Sequence, residues 1–219
     1  MKKDVYRLGG IAAVLVIALV VAISFYRSEE ARKASQRAKE QAAMNSSVFV
    51  RPHSHSLGPE DAKVTIVEFF DPECESCRLM HPLVKRILGQ YPNRVRLVLR
   101  YMPLHENSEY AAGALEAAGE QNRYWEMLDA LFLHQPVWGS HESPRPDLIP
   151  GYARQLGLDM KAFQRFMDAG SYRSLVAIDR ADGMALGIRG TPSFFVNERP
   201  LLRLGYDSLK SMVDQELAR

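Results

Sequence analysis

The sequence predicts an α/β domain built on a strand–helix–strand unit, with a helical insertion behind it and a membrane-spanning helix in front. Three observations carry this. Residues 64–70 and 95–102 read as apolar strands on either side of an amphipathic helix. Residues 108–190 read as mostly helical, and strand pattern returns only at residues 193–197. Residues 8–26 carry no charged side chain and are rich in Val, Ile, Ala and Leu.

The chain has 219 residues, room for one ordinary domain and an appendage. Its 47% apolar and 25% charged residues are normal for a globular protein. The formal net charge is +2 and the basic residues are dispersed, so nothing marks a nucleic-acid surface. Two cysteines are too few for a structural disulfide scaffold or a closed four-thiolate zinc site.

Residues 1–7 form a flank containing Lys2, Lys3 and Arg7. The apolar run at 8–26 approaches the roughly 20 residues that cross a bilayer as a helix. It is longer than the apolar core of a secretory signal, about 7–15 residues, which favours a retained anchor. Basic residues flank the run on both sides, so the positive-inside rule does not choose an orientation. Residues 27–57 read as a tether: high helix propensity at first, few large apolar side chains, then a polar stretch holding His53 and His55. Two histidines in so polar a segment are expected to be solvated rather than to hold a metal. The folded domain is expected at 58–219.

Within it, Val64–Phe70 is apolar on both faces apart from Thr65 and Glu68, as in a central strand covered on both sides. Glu68 stands out as a carboxylate in an apolar run, able to accept or relay a proton if buried. Met80, Leu83, Val84, Ile87 and Leu88 form the stripe of a helix packed on a sheet, with Pro82 inside it expected to kink it. The strand at 95–102 completes the unit, with parallel strands and a right-handed crossover. A helix is expected over 109–133 with Ser108 as its cap, a proline-rich loop over 135–150, and short helices at 149–156, 160–167 and 175–186. Ser193 to Asn197 follow Gly190, Thr191 and Pro192 directly. Pro192 marks a strand start, an edge or a cis bond. Residues 201–204 are expected as the hairpin partner, and Asp207 as the cap of a last helix with Leu209, Met212, Val213 and Leu217 on its apolar face.

Both cysteines, Cys74 and Cys77, fall at the turn from the first strand into the helix. A helix N-terminus carries partial positive charge and unpaired N–H groups. Both favour a thiolate, so the pKa of Cys74 is expected to fall. The second thiol is then placed to close a disulfide or release a mixed one.

With these elements in this order, residues 58–217 resemble a DsbA-like thiol–disulfide oxidoreductase of the thioredoxin superfamily. The motifs that carry the resemblance are the strand running into Cys74-Glu-Ser-Cys77, Pro82 in the helix, Tyr101-Met-Pro-Leu-His105 before an Ala-rich helix, and Gly190-Thr-Pro192 before the late strand. The resemblance implies a thioredoxin-like fold: a central mixed β-sheet flanked by helices, with the insertion at about 108–190. It implies that Cys74 is the exposed nucleophile and Cys77 the buried resolving thiol. Pro192 corresponds to the cis-proline facing the disulfide, Thr191 to the residue whose backbone pairs with a substrate strand, and Glu68 to a buried acid. Protein thiol or disulfide substrates and a membrane redox partner follow, with no cofactor and no metal. An anchored dithiol fits the outer side of a bacterial inner membrane, where disulfide traffic needs such enzymes.

The dipeptide between the cysteines departs from the family pattern. DsbA has proline and histidine there, whereas this chain has Glu75 and Ser76. Glu75, with Glu73 and Asp71, is expected to oppose the thiolate, and Arg78 to favour it, making a weaker oxidant than DsbA. Two other readings remain open from sequence. The thiols with His81 or Met80 suit Cu(I), and a membrane-tethered interaction protein would leave the thiols incidental.

Overall fold

The computed structural model describes residues 23–30, 32–33 and 48–219. Residues 23–30 and 32–33 are helical. Most of the expected anchor and tether, residues 8–22, 31 and 34–47, lies outside the described residues. Among the described residues no helix is long and apolar enough to cross a membrane. The chain divides into two compact units, and the second begins at Val48.

That unit is organised around β2 (Val64–Phe70), the strand with apolar side chains on both faces. β3 (Val95–Tyr101) runs parallel to it in a register that sets Val64 opposite Val95 and Phe70 opposite Tyr101. β4 (Ser193–Val196) is antiparallel on its other side, with Ile66 opposite Val196. β1 (Ser56–Leu57) and β5 (Arg199–Pro200) are short antiparallel edges, giving the order β1-β3-β2-β4-β5. The mixed sheet expected from the resemblance is therefore present.

Side chains alternate across the strands and split the core in two. On one face Val64, Ile66 and Phe70 pack with Cys77, Met80, Val84 and Ile87 of α1 (Glu75–Gln90). Leu209, Val213 and Leu217 of α7 (Tyr206–Ala218) join them. On the other face Val67 and Phe69 pack with Phe49, Val98, Met102, Ile188 and Phe195. The insertion supplies α2 (Ser108–Gly119), α3 (Tyr124–Trp138), α4 (Ile149–Gln155), α5 (Met160–Ala169) and α6 (Tyr172–Ala185). The small residues of α2 allow close approach: Ala111, Ala112, Ala114, Ala117 and Ala118 are all buried, and the Tyr172 ring lies 2.7 Å from where a Cβ on Gly113 would stand.

The structure corrects several boundaries. The helix expected over 109–133 is two helices. After Gly119 the chain turns through Asn122, which is left-handed (φ 59°), and the Arg123 amide bonds back to the Ala118 carbonyl. α3 then runs through Pro136 to Trp138, into the stretch expected as loop, and the Trp138 indole N–H donates to the Leu131 carbonyl. α1 likewise continues through Pro82. The partner of β4 is Arg199–Pro200 rather than residues 201–204. Asn197 and Glu198 both take positive φ, so a two-residue turn closes the hairpin early. The last helix begins at Tyr206 behind Gly205, with Asp207 in its first turn.

The largest correction is at the start of the domain. Residues 48–57, expected as a polar connector, are built into it. Phe49 packs edge-on against Phe195 with ring centroids 5.0 Å apart. Arg51 and His53 bond Asp182 and Asp179 of α6, at 2.7 Å each. His55 bonds Glu116 at 2.9 Å and stacks on Tyr124. Arg100, fully buried in β3, gathers the same acids. Its guanidinium donates to Asp179 at 2.8 Å, to Asp182 and to the Val48 carbonyl, and lies over the Phe69 ring.

Candidate active site

β2 ends at Phe70 and α1 begins at Glu75, so the turn between them delivers Cys74 to the helix N-terminus. Cys74 is the N-cap residue, with extended backbone (φ −77°, ψ 123°). Its sulfur meets the amides of Ser76 and Cys77. Cys77 lies in the first helical turn, where the Asp71 amide donates to its sulfur at 3.4 Å. Both cysteines are free thiols. Cys77 is fully buried, and Cys74, expected as the exposed one, keeps only 7% of its surface.

Across from them the Thr191–Pro192 peptide bond is cis. The Cys74 sulfur lies 3.3 Å from the Thr191 carbonyl oxygen. All of the site residues expected from the sequence except Glu68 meet here, and Glu68 lies just beneath. It shares the face of β2 that carries Ile66 and Phe70, and hence Cys77.

The electrostatics separate the two thiols. A hydrogen bond from the Cys77 thiol is the largest influence on Cys74 and favours its thiolate. Burial opposes it, while the Thr191 hydroxyl and the Cys77 and Ser76 amides add to it, and the pKa falls to about 5. Cys77 is pushed well above the ordinary thiol value, first by burial, then by its bond to Cys74 and the charge of Glu68. Burial, with the Cys74 charge, raises Glu68 to about 8. At neutral pH the resting site therefore holds a thiolate at Cys74, a thiol at Cys77 and a carboxylic acid at Glu68.

The acidic residues expected to oppose the thiolate are occupied elsewhere. Asp71 is fully buried. Its carboxylate accepts from the amides of Glu73 at 2.8 Å, Leu104 at 2.7 Å and His105 at 3.2 Å, from His105 Nδ1 at 2.8 Å and from the Ser108 hydroxyl. Glu73 accepts from the Asn107 amide and side chain at 2.7 and 2.8 Å. Glu75 is bonded by His141 at 2.6 Å and Arg78 by Gln135 at 3.0 Å. The sequence marks 104–108 as a strand end and a helix start, not as part of this site. The available signal was the parallel register: adjacent parallel strands end on the same side of the sheet, so residues after Phe70 and after Tyr101 meet there.

Of the residues considered for copper, Met80 lies in the buried cluster that also holds Cys77, and His81 bonds Asp129 of α3 at 2.6 Å. Among the described residues no group of three or more His, Cys, Asp and Glu side chains is placed to hold a metal ion.

Comparison with known proteins agrees with this geometry. The sequence profile described as Thioredoxin matches residues 51–215. A solved thioredoxin-like oxidoreductase from Silicibacter pomeroyi is 31% identical, with a TM-score of 0.68 over 79% of this chain and 97% of that one. The probable disulfide bond formation protein D of Bacillus cereus is 26% identical over 180 residues, 78% of this chain and 82% of that protein. A Na(+)/H(+) antiporter NhaA 1 of Salinispora arenicola is 39% identical over 150 residues, 66% of this chain but 22% of the antiporter. The chain thus spans well under a third of the antiporter relatives it matches. With a profile match over most of its length, the mixed sheet and the dithiol at the head of α1, the chain belongs to the thioredoxin family.

Proposed function

We propose that this protein is a DsbA-like thiol–disulfide oxidoreductase that exchanges disulfides with protein substrates at Cys74 and Cys77. The observation that carries this reading is the asymmetry of the pair: one thiolate at a helix N-terminus facing Thr191 and cis-Pro192, one buried thiol beside a buried acid. A pure ligand site needs no such difference between its sulfurs.

In the oxidising direction a substrate thiolate attacks Cys74 Sγ of the disulfide form. A substrate–Cys74 bond forms and the Cys74–Cys77 bond breaks. Cys77 leaves with the electron pair and takes the Glu68 proton. The second substrate thiol gives its proton to solvent, attacks its partner sulfur and expels Cys74 as a thiolate. The substrate loses two electrons and the cysteine pair gains them. Run backwards, Cys74 attacks a substrate disulfide, and Glu68, which releases its own proton to solvent once the Cys74 charge that raises its pKa is consumed, accepts the Cys77 proton. The substrate chain lies extended against Thr191 and Pro192.

The apolar run at 8–26 is read as a single-pass anchor in a bacterial inner membrane, holding the domain on the extracytoplasmic side beside a membrane redox partner. A relative is named for disulfide bond formation, and disulfides form and persist in oxidising compartments outside the cytoplasm.

The role of Glu68 has a direct test. Glu68→Gln removes the proton relay, and the step in which Cys77 leaves should slow by about 10²-fold. The same change should alter stability. A folded pKa raised to about 8 means that stability falls as pH rises from the ordinary carboxylate range through 8. That fall should flatten in Glu68→Gln, as read by denaturant titration across the same window. The exchange reading is tested by trapping. Cys77→Ser leaves the mixed disulfide on Cys74 unresolved, so protein adducts at Cys74 should accumulate in cells. A variant that accumulates none would defeat the reading.

A further inference from the structure

The two turns at the head of the sheet place a histidine beside the dithiol without any histidine between the cysteines. His105 lies on the turn after β3, about one-third exposed on its side chain (30%), and its Nδ1 donates to the fully buried Asp71 carboxylate at 2.8 Å. Asp71 is itself held by three backbone amides and the Ser108 hydroxyl, so it fixes the imidazole as firmly as a scaffold group does. The Asp71 carbonyl accepts the Cys74 amide at 3.1 Å, and the Asp71 amide reaches the Cys77 sulfur. One residue therefore ties the imidazole and both cysteines together. With Nδ1 committed to Asp71, Nε2 is left to gain or lose a proton.

We propose that His105, oriented by Asp71, is a positioning residue whose positive charge stabilises the Cys74 thiolate, so that the dithiol is a stronger oxidant when His105 is protonated than when it is neutral. The inference rests on the exchange reading of the same site. Stabilising the thiolate favours the reduced pair, and a pair more stable when reduced draws electrons from substrates more strongly. The charge of the imidazolium and that of Cys74 act on each other across the two turns that Asp71 joins.

The groups facing His105 are all at this end of the sheet. Asp71, Glu73 and Cys74 come from the turn before α1, Glu75 from its first residue, and His141 from the loop after α3, with ring centroids 6.1 Å apart. Burial works against the charge on His105, but the Asp71 bond and the charges of Asp71, Cys74 and Glu73 outweigh it and raise its pKa above the ordinary histidine value. His141 is engaged by Glu75 at 2.6 Å, which leaves His105 as the histidine turned to the dithiol turn.

The test is a redox equilibrium with glutathione in wild type and His105→Gln, which keeps a donor for Asp71 but cannot titrate. At about pH 6 the variant should shift about tenfold toward its disulfide form, equivalent to about 30 mV. At about pH 9, well above the ordinary histidine range, the two should converge. His105→Lys, charged at both pH values, should be the stronger oxidant at pH 9. Reciprocity supplies a second readout: the His105 titration followed by NMR should have its midpoint higher in the reduced protein than in the oxidised one, by the logarithm of the same factor. A His105 midpoint that is the same in both redox states, or a His105→Gln difference that persists undiminished at pH 9, would overturn the proposal. The NMR titration needs only chemical reduction and oxidation. Failure to equilibrate with glutathione would therefore count against the exchange reading, while His105 would still be judged by its own titration.

Discussion

Cys74→Ser should abolish disulfide exchange, with turnover of a disulfide substrate falling to the uncatalysed background. Every step of the proposed cycle forms or breaks a bond at Cys74 Sγ, and a serine oxygen forms no disulfide. The loss should not come from unfolding. Serine is itself a favoured N-cap residue, so the helix start should be at least as well satisfied. Cys77→Ser, by contrast, should keep the first attack and lose only resolution. Measuring insulin reduction beside circular dichroism for the three proteins checks this: Cys74→Ser folded and inactive, Cys77→Ser folded and arrested after one attack. Retained turnover in Cys74→Ser would mean that the chemistry lies elsewhere in the chain.

The second large effect concerns stability. Arg100→Met should cost about 3–5 kcal/mol, because removing one member of a buried ion cluster leaves the others uncompensated. Asp179 and Asp182 are both buried and lose their central cation, and the Val48 carbonyl loses its donor. Asp182 gives the pH signature. Burial alone would raise its pKa, but the bonds from Arg51 and Arg100 outweigh that and hold it below the ordinary carboxylate value. A depressed carboxylate adds stability above its unfolded pKa, near 4, and loses it as the pH falls through the folded value. The deficit of Arg100→Met should therefore be largest near neutrality and shrink in acid. Urea titrations at several pH values measure it, and a deficit independent of pH would assign the cost to packing alone.

The same cluster shows where reading the sequence fails. Arg100 lies in a strand that reads as apolar, and it is fully buried on the domain's second face. Its partners lie 79 and 82 residues away, and those of Arg51 and His53 lie 131 and 126 residues away. Local periodicity carries no information about pairs so distant. For that reason residues 48–57 looked like a connector although they are clamped to α6. Where a local rule is sufficient, the elements lie where it puts them. The doubly apolar β2, the helical stripe of α1 and the Ala-rich α2 all appear where periodicity and residue size put them. The late strand after Thr191 and Pro192 also fell into place, but its hairpin did not, because the left-handed pair Asn197 and Glu198 leaves little trace in hydrophobic pattern.

The site divides in the same way. Cys74 and Cys77 were legible from their position at a strand-to-helix turn, and Glu68 from being a carboxylate in an apolar run. Asp71, Glu73 and His105 were misjudged or passed over. Charge counting along the chain treats an acid beside a thiol as repulsive. The fold instead uses Asp71 and Glu73 as acceptors that join two turns, and Glu75 as the partner of His141.

Disulfide transfer is the most direct measurement of the central claim. The oxidised protein is mixed with an equimolar reduced peptide carrying two cysteines, and both are followed by mass spectrometry after acid quenching. The expected result is a transient peptide–protein adduct mapped to Cys74, followed by a peptide that has lost two hydrogens and a protein that has gained them. An oxidised protein that leaves the peptide dithiol untouched, or an adduct on Cys77 with none on Cys74, would contradict it.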